Sequence, residues 1–238
     1  MATKKKRQEP KQLTFDDARK PDGKHGGWRP GAGRPEGRSS IAHRLRDEFP
    51  PRFPILVTWR LVQGLPSLRH RRYAEVFLDA LAAVQSTTFR VTDYSIQTNH
   101  LHLMSEAEGA DAVADGMEQL ANRSIRRVNR AMKRNGKLLD ERYHARALAT
   151  PREVKNALRY VINNARHHAE ERHVFYHPEW IDPFSSARWF DGWSSPLDAS
   201  ELQQRGRRVT AEPHTWLRSV GWRRWGLLGT DEIPGGPP

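Results

Sequence analysis

The feature that most constrains this chain is a hydrophobic period that switches repeatedly between strand and helix spacing across residues 54–169. Pro54-Ile55-Leu56-Val57-Thr58-Trp59-Arg60-Leu61 is a β-branched and aromatic run closed by Gly64-Leu65-Pro66, the pattern of a strand. From Leu68 to Gln85, apolar residues recur at Tyr73, Val76, Phe77, Ala80, Leu81 and Val84, one face of a helix. Two strands follow, Phe89 to Gln97 and His100 to Ser105, joined by the short Thr98-Asn99 link of a hairpin. A long helix over roughly Ala110 to Asn135 places Val113, Met117, Leu120, Ser124 and Val128 on its inner stripe and ends at Gly136. A strand from His144 to Ala149 leads through Thr150-Pro151, an N-cap followed by proline at the first helical position, into a helix from Arg152 to about Ala169. Glu153 favours that start electrostatically.

The order β-α-β-β-α-β-α specifies an α+β fold of the ferredoxin-like, RRM-like kind. Such a fold is an antiparallel sheet with helices on one face, its opposite face open to a ligand. It occupies residues 53–170, between a basic arm over 1–52 and a Trp/Arg-rich extension over 171–238. The first 50 residues hold 13 Lys and Arg against 7 Asp and Glu, half of the chain's net charge of +12. Within the arm, Gly31-Ala32-Gly33-Arg34-Pro35 matches the Gly-Arg-Pro core of minor-groove-reading arms, with Arg34 as the reading residue. A plain soluble linker fits the same pattern. The extension contains six of the eight tryptophans, Trp180, Trp189, Trp193, Trp216, Trp222 and Trp225, interleaved with arginines such as Arg188, Arg208, Arg223 and Arg224. These indoles either stack unpaired bases or dock the extension onto the domain.

Composition removes several chemistries. Cysteine is absent, which excludes disulfides, thiolate metal sites and thiol nucleophiles. No apolar run reaches the length of a signal peptide core or a membrane span, which points to a cytoplasmic protein. The positive surplus favours a polyanionic partner, nucleic acid ahead of an anionic membrane. On the long helix the outer stripe is basic, and Arg123, Arg127, Arg130 and Arg134 are candidate phosphate contacts alongside Arg34.

Strand alternation puts His100 and His102 on one face and Leu101 and Leu103 on the other, so two imidazoles can converge on one cation. Two incidental histidines on a half-exposed strand satisfy the same spacing. Tyr160 and Asn164, four residues apart, are neighbours on one helical face. An Asn164 amide oxygen would complete a site of two nitrogens, one oxygen and waters, which suits Mg2+ or Mn2+ in phosphoryl transfer. Tyr160 alone also reads as a partly buried structural tyrosine.

These residues together resemble the HUH single-strand endonucleases, specifically the tyrosine transposases of small insertion sequences and the REP-associated tyrosine transposases. The likeness rests on Asn99-His100-Leu101-His102-Leu103 and on Tyr160-Val161-Ile162-Asn163-Asn164-Ala165-Arg166. Val57-Thr58-Trp59-Arg60, Arg142-Tyr143-His144 and Thr150-Pro151-Arg152-Glu153 add to it. The resemblance implies an HUH endonuclease domain with His100, His102 and Asn164 as ligands of Mg2+ or Mn2+ and Tyr160 as nucleophile. It also implies a 5′-phosphotyrosine intermediate, single-stranded or hairpin DNA as partner, and a monomer in preference to a homodimer. The sequence departs from many relatives at Ala165 and Thr98, where proline is common, and Asn163 offers a second candidate amide ligand. Asparagine in place of glutamine as third ligand leans towards the domesticated branch. The competing classes are a non-catalytic DNA- or RNA-binding module on the same sheet, an origin-acting relaxase relative, and a hydrolase using His100 or His102 as general base. The relaxase reading lacks support from any Gly-Lys-Ser/Thr phosphate loop.

Overall fold

Period-two alternation sorts the strand residues onto two faces that are covered by different parts of the chain. A computed structural model describes residues 48–204 and 206–235. Four strands, β1 (Ile55–Arg60), β2 (Phe89–Ile96), β3 (His100–Ala107) and β4 (His144–Ala147), form one sheet of order β2-β3-β1-β4. Its three ladders are antiparallel, the ferredoxin-like arrangement anticipated from the element order.

On the first face Ile55, Val57, Trp59, Leu101, Leu103 and Ile96 pack beneath α1 (Arg71–Ala83) and α2 (Ala110–Ala131). Burying each such aliphatic side chain contributes about 2 kcal/mol. The two helices bury the stripes that periodicity marks: Tyr73, Val76, Phe77, Ala80 and Leu81 on α1, and Val113, Met117, Leu120, Ser124 and Val128 on α2. Gly116 lets α2 approach β2 closely, because a Cβ there would run into the Phe89 ring. Helix α2 stops at Ala131, short of Asn135, and Lys133 turns through a positive φ of 52°. Arg134 then donates to Asn129 Oδ1 at 2.7 Å and to the Lys137 carbonyl at 2.9 Å, bracing that turn.

The second face is not open, as the sequence reading had it. It presents Leu56 and Met104, and these apolar side chains are buried beneath α3 (Pro151–Ile162) through Val154, Leu158 and Val161. A β-bulge between Val91 and Asp93 shifts β2 by one residue, keeping Tyr94 and Ile96 in the first core and turning Asp93 to the second face. There the C-terminal extension is clamped. Arg218 makes a bidentate pair with Asp93, and Glu106 accepts from the backbone amides of His214 and Thr215. Trp193 and Trp222 are buried in this second core, so for these two the docking reading holds.

Helix α3 begins on a reciprocal capping box: Glu153 N donates to Thr150 Oγ1 at 3.2 Å, and Thr150 N donates to Glu153 Oε2 at 2.9 Å. The single helix anticipated from Arg152 to Ala169 is interrupted at Asn163, beyond which α4 (Asn164–Glu171) continues. Asn163 is pulled out of the helical pattern by the extension, its side chain donating to the carbonyls of Gly229 and Glu232 at 3.1 and 2.9 Å.

Candidate functional site

The ladder between β1 and β3 sets Thr58 opposite His102 and Arg60 opposite His100, all on the second face. His102 is buried, with Nδ1 3.0 Å from Thr58 Oγ1, and its Nε2 has no hydrogen-bond partner among the described residues. His100 directs Nδ1 to Asn99 Oδ1 at 3.0 Å. An amide oxygen only accepts, so Nδ1 carries the proton and Nε2 the lone pair.

Across from the strand, the Tyr160 ring lies 4.7 Å from that of His102, and the two histidine rings are 4.6 Å apart. Asn164 is fully buried, and its amide makes no hydrogen bond of ordinary geometry among the described residues, although it lies close enough to the Tyr160 hydroxyl to favour that phenol's ionisation. A buried polar atom left in this way costs about 1–3 kcal/mol, and such groups gather where a ligand or ion satisfies them. The donor set of imidazole nitrogen and amide oxygen fits a divalent cation. Among the described residues no three His, Asp or Glu side chains are grouped so as to hold an ion, and a cation here would need Asn164 and water besides imidazole. Asn163, the alternative amide, is engaged by the extension instead.

The electrostatics favour ligation. Burial holds the His102 imidazole well below the ordinary range, and the neighbouring His100, His168 and Arg60 side chains add to the effect. Burial likewise brings His100 down to about 4, with His168 and Arg60 adding to the effect. Both rings are therefore neutral at physiological pH, the form that binds metal. Burial raises the Tyr160 phenol above its usual value, partly offset by the Asn164 amide and the Arg60 guanidinium.

One member of this cluster was missed in the sequence. His168 continues the stripe begun by Tyr160 and Asn164, and its ring lies 5.5 Å from that of His100. Its Nδ1 donates to Glu171 Oε2 at 2.9 Å, while Nε2 is buried without a partner. The repeat of four residues from Tyr160 to Asn164 to His168 is the signal that could have found it.

The basic stripe stands apart from this cluster. Helix α2 lies on the other side of the sheet from His100 and His102, with Arg123, Arg126 and Arg130 exposed. Arg127 pairs with Asp79 at 2.7 Å, and Arg134 braces the turn after α2. Arg34 lies outside the described residues. At the opposite end of the second face from His100, a cleft of about 860 Å3 opens between the end of β3, the start of α3 and the extension. No helix among the described residues is long and apolar enough to cross a membrane.

The sequence matches no protein-family model and no curated protein. Among solved structures it is similar to a REP-associated tyrosine transposase bound to a REP hairpin. That similarity has 14% identity and a TM-score of 0.47, and covers 72% of this chain and 92% of the other.

Proposed function

We propose that this chain cuts and rejoins single-stranded DNA through Tyr160, at a site where His100, His102 and Asn164 hold Mg2+ or Mn2+. The observation that carries the reading is a set of buried polar atoms without hydrogen-bond partners among the described residues, His102 Nε2, on a ring 4.7 Å from that of Tyr160, and the Asn164 amide, one helical turn along from Tyr160. The motifs His-Leu-His and Tyr-x-x-x-Asn, and their resemblance to tyrosine transposases, select DNA strand cleavage from the reactions that a metal and a phenol can perform.

The ion, when bound, supplies positive charge to the scissile phosphate. Tyr160 Oη attacks phosphorus, the Tyr160–phosphate bond forms as the bond to the 3′ oxygen breaks, and the phenolic proton is balanced by the new 3′-hydroxyl. A second 3′-hydroxyl reverses the step and joins strands. Tyr160 is held for in-line attack by α3, whose Val161 and Leu158 are locked in the second core. Thr58 and Asn99 orient the two imidazoles through their Nδ1 atoms. Arg60, opposite His100, adds a cation on the solvent side.

The test is incubation of the full chain with labelled hairpin oligonucleotides and Mn2+, followed by denaturing electrophoresis. A covalent adduct should form and should vanish in Tyr160→Phe or in EDTA. An adduct that survives the phenylalanine substitution refutes the nucleophile, and EDTA-insensitive cleavage refutes the metal. Absence of any adduct across varied hairpins returns the chain to the class of DNA-binding modules.

A further inference from the structure

The cleft at the far end of the sheet plays no part in that chemistry, yet its rim carries a repeated device. The Arg52 guanidinium lies 4.7 Å from the Phe53 ring centroid, and Arg224 lies 4.8 Å from that of Trp216. Next to the cleft residue Pro151, Arg152 lies 5.4 Å from the Trp225 centroid. The structure thereby divides the tryptophans of the extension. Trp222 is wholly buried and Trp193 nearly so, whereas Trp216 is 48% and Trp225 53% exposed. Anchoring accounts for the first pair and leaves the second unexplained.

The ring of Trp216 rests flush against the backbone, since a Cβ on Gly221 would come within 2.6 Å of it. Cations outnumber available acids in the cleft. Of the three lining arginines Arg90 is paired with the buried Glu106, whose oxygens also accept from His214 N and from the amide and hydroxyl of Thr215, which leaves Arg52 and Arg224. Glu108 is the remaining carboxylate of the lining.

We propose that this cleft is a second subsite for single-stranded DNA, separate from the His100–Tyr160 site. Bases stack on the Trp216–Arg224 pair in the cleft and on the Trp225–Arg152 pair beyond its Pro151 and Arg224 edge, while the guanidinium groups neutralise phosphates. An arginine stacked on an indole offers a flat, charged surface to the next base, and indole stacking tolerates any base. Helix α3 joins the two sites. Its first residue, Pro151, lines the cleft, and Tyr160 stands nine residues on, about 14 Å away at the helical rise of 1.5 Å. About four stacked nucleotides cover that distance. The subsite rests on the nicking reading only for its role, that of holding single strand that flanks the cut.

The test is the anisotropy of fluorescein-labelled oligo(dT) of about 20 nucleotides, enough to span the cleft, with the full chain in EDTA. Trp216→Ala and Trp225→Ala should each weaken binding about ten-fold. Arg224→Gln should lower the slope of log affinity against log salt by about one. Adduct formation on a hairpin whose single-stranded flank ends within about two nucleotides of the cut, too short to reach the cleft, should be unchanged in all three. Wild-type affinity for oligo(dT) in both indole variants overturns the subsite. So does equal displacement of oligo(dT) by poly-glutamate, which would leave only charge. Both indoles are half-exposed, and two separate variants guard against one that misfolds. A wild-type chain that forms no adduct sinks the nicking reading, while the subsite still stands or falls on oligo(dT).

Discussion

Arg218→Met removes the guanidinium that clamps the C-terminal extension to the sheet. In the native chain Arg218 Nε and Nη2 each donate to an Asp93 carboxylate oxygen at 2.7 Å, and the two side chains are 5% and 1% exposed. Burial pushes the guanidinium pKa down, but Asp93, joined by Asp191 and Glu106, more than offsets it and holds Arg218 above its ordinary value. After the substitution, Asp93 keeps one side-chain donor from the native arrangement, the Thr92 hydroxyl at 2.8 Å. Breaking a buried pair by removing one partner costs about 3–5 kcal/mol, and a chain of this size loses about 2–4 °C of Tm per kcal/mol. The expected fall in Tm is therefore about 6–20 °C, read by circular dichroism on the full chain and repeated as a urea titration. Asp93→Leu combined with Arg218→Met removes both charges and should recover most of the loss. A single variant within about 1 kcal/mol of wild type, below the range for a broken buried pair, refutes the clamp. A double variant no more stable than the single refutes its electrostatic origin. Because Trp216 lies two residues away in the same short helical turn, the single variant should also lose affinity for oligo(dT).

Other perturbations bear on the site and the frame that holds it. Thr58→Val deletes the oxygen beside His102 Nδ1 and should weaken Mn2+ binding about 10–100-fold in calorimetry, with the melting point little changed; unaltered affinity would show that Thr58 does not orient the ligand. Gly116→Ala forces a methyl group into the Phe89 ring and should destabilise by about 1–3 kcal/mol in urea, whereas a neutral result would mean that α2 shifts freely. Thr150→Ala breaks the capping box of α3 and should cost about 1 kcal/mol, checked by the same titration. In metal-free buffer the site should also make stability depend on pH. An unfolded imidazole takes a proton near pH 6.5, but His100 does so at about 4 when folded. Between those values the unfolded state binds more protons. Stability therefore rises with pH across the window and is lost as pH falls, by on the order of 3 kcal/mol for His100. His100→Asn should flatten that slope, and an unchanged slope would contradict the burial argument.

Much of the frame was legible because it is written in local periodicity. The stripes of α1 and α2, the placement of His100 and His102 on one strand face, and the pairing of Tyr160 with Asn164 all follow from spacing within a single element. The cap at Thr150 was legible for the same reason, and even the bulge in β2 leaves a trace, since Phe89 and Val91 fall out of phase with Tyr94 and Ile96.

What only the tertiary structure decided depends on partners distant in sequence. Nothing near Asp93 announces Arg218, which lies 125 residues away, and nothing near Asn163 announces the carbonyls of Gly229 and Glu232 that interrupt the helix. Leu56 and Met104 on the second face did signal a need for cover, but which segment supplies it is a question of long-range packing. The same holds for the tryptophans. Trp222 and Trp216 have similar neighbours in sequence, yet one is sealed in the core and the other faces solvent beside Arg224. His168 joins the cluster only because α4 continues past Asn163 in a direction that keeps its ring against His100. Periodicity specifies which face a residue takes on its own element. Long-range packing and charge pairing then decide what that face meets.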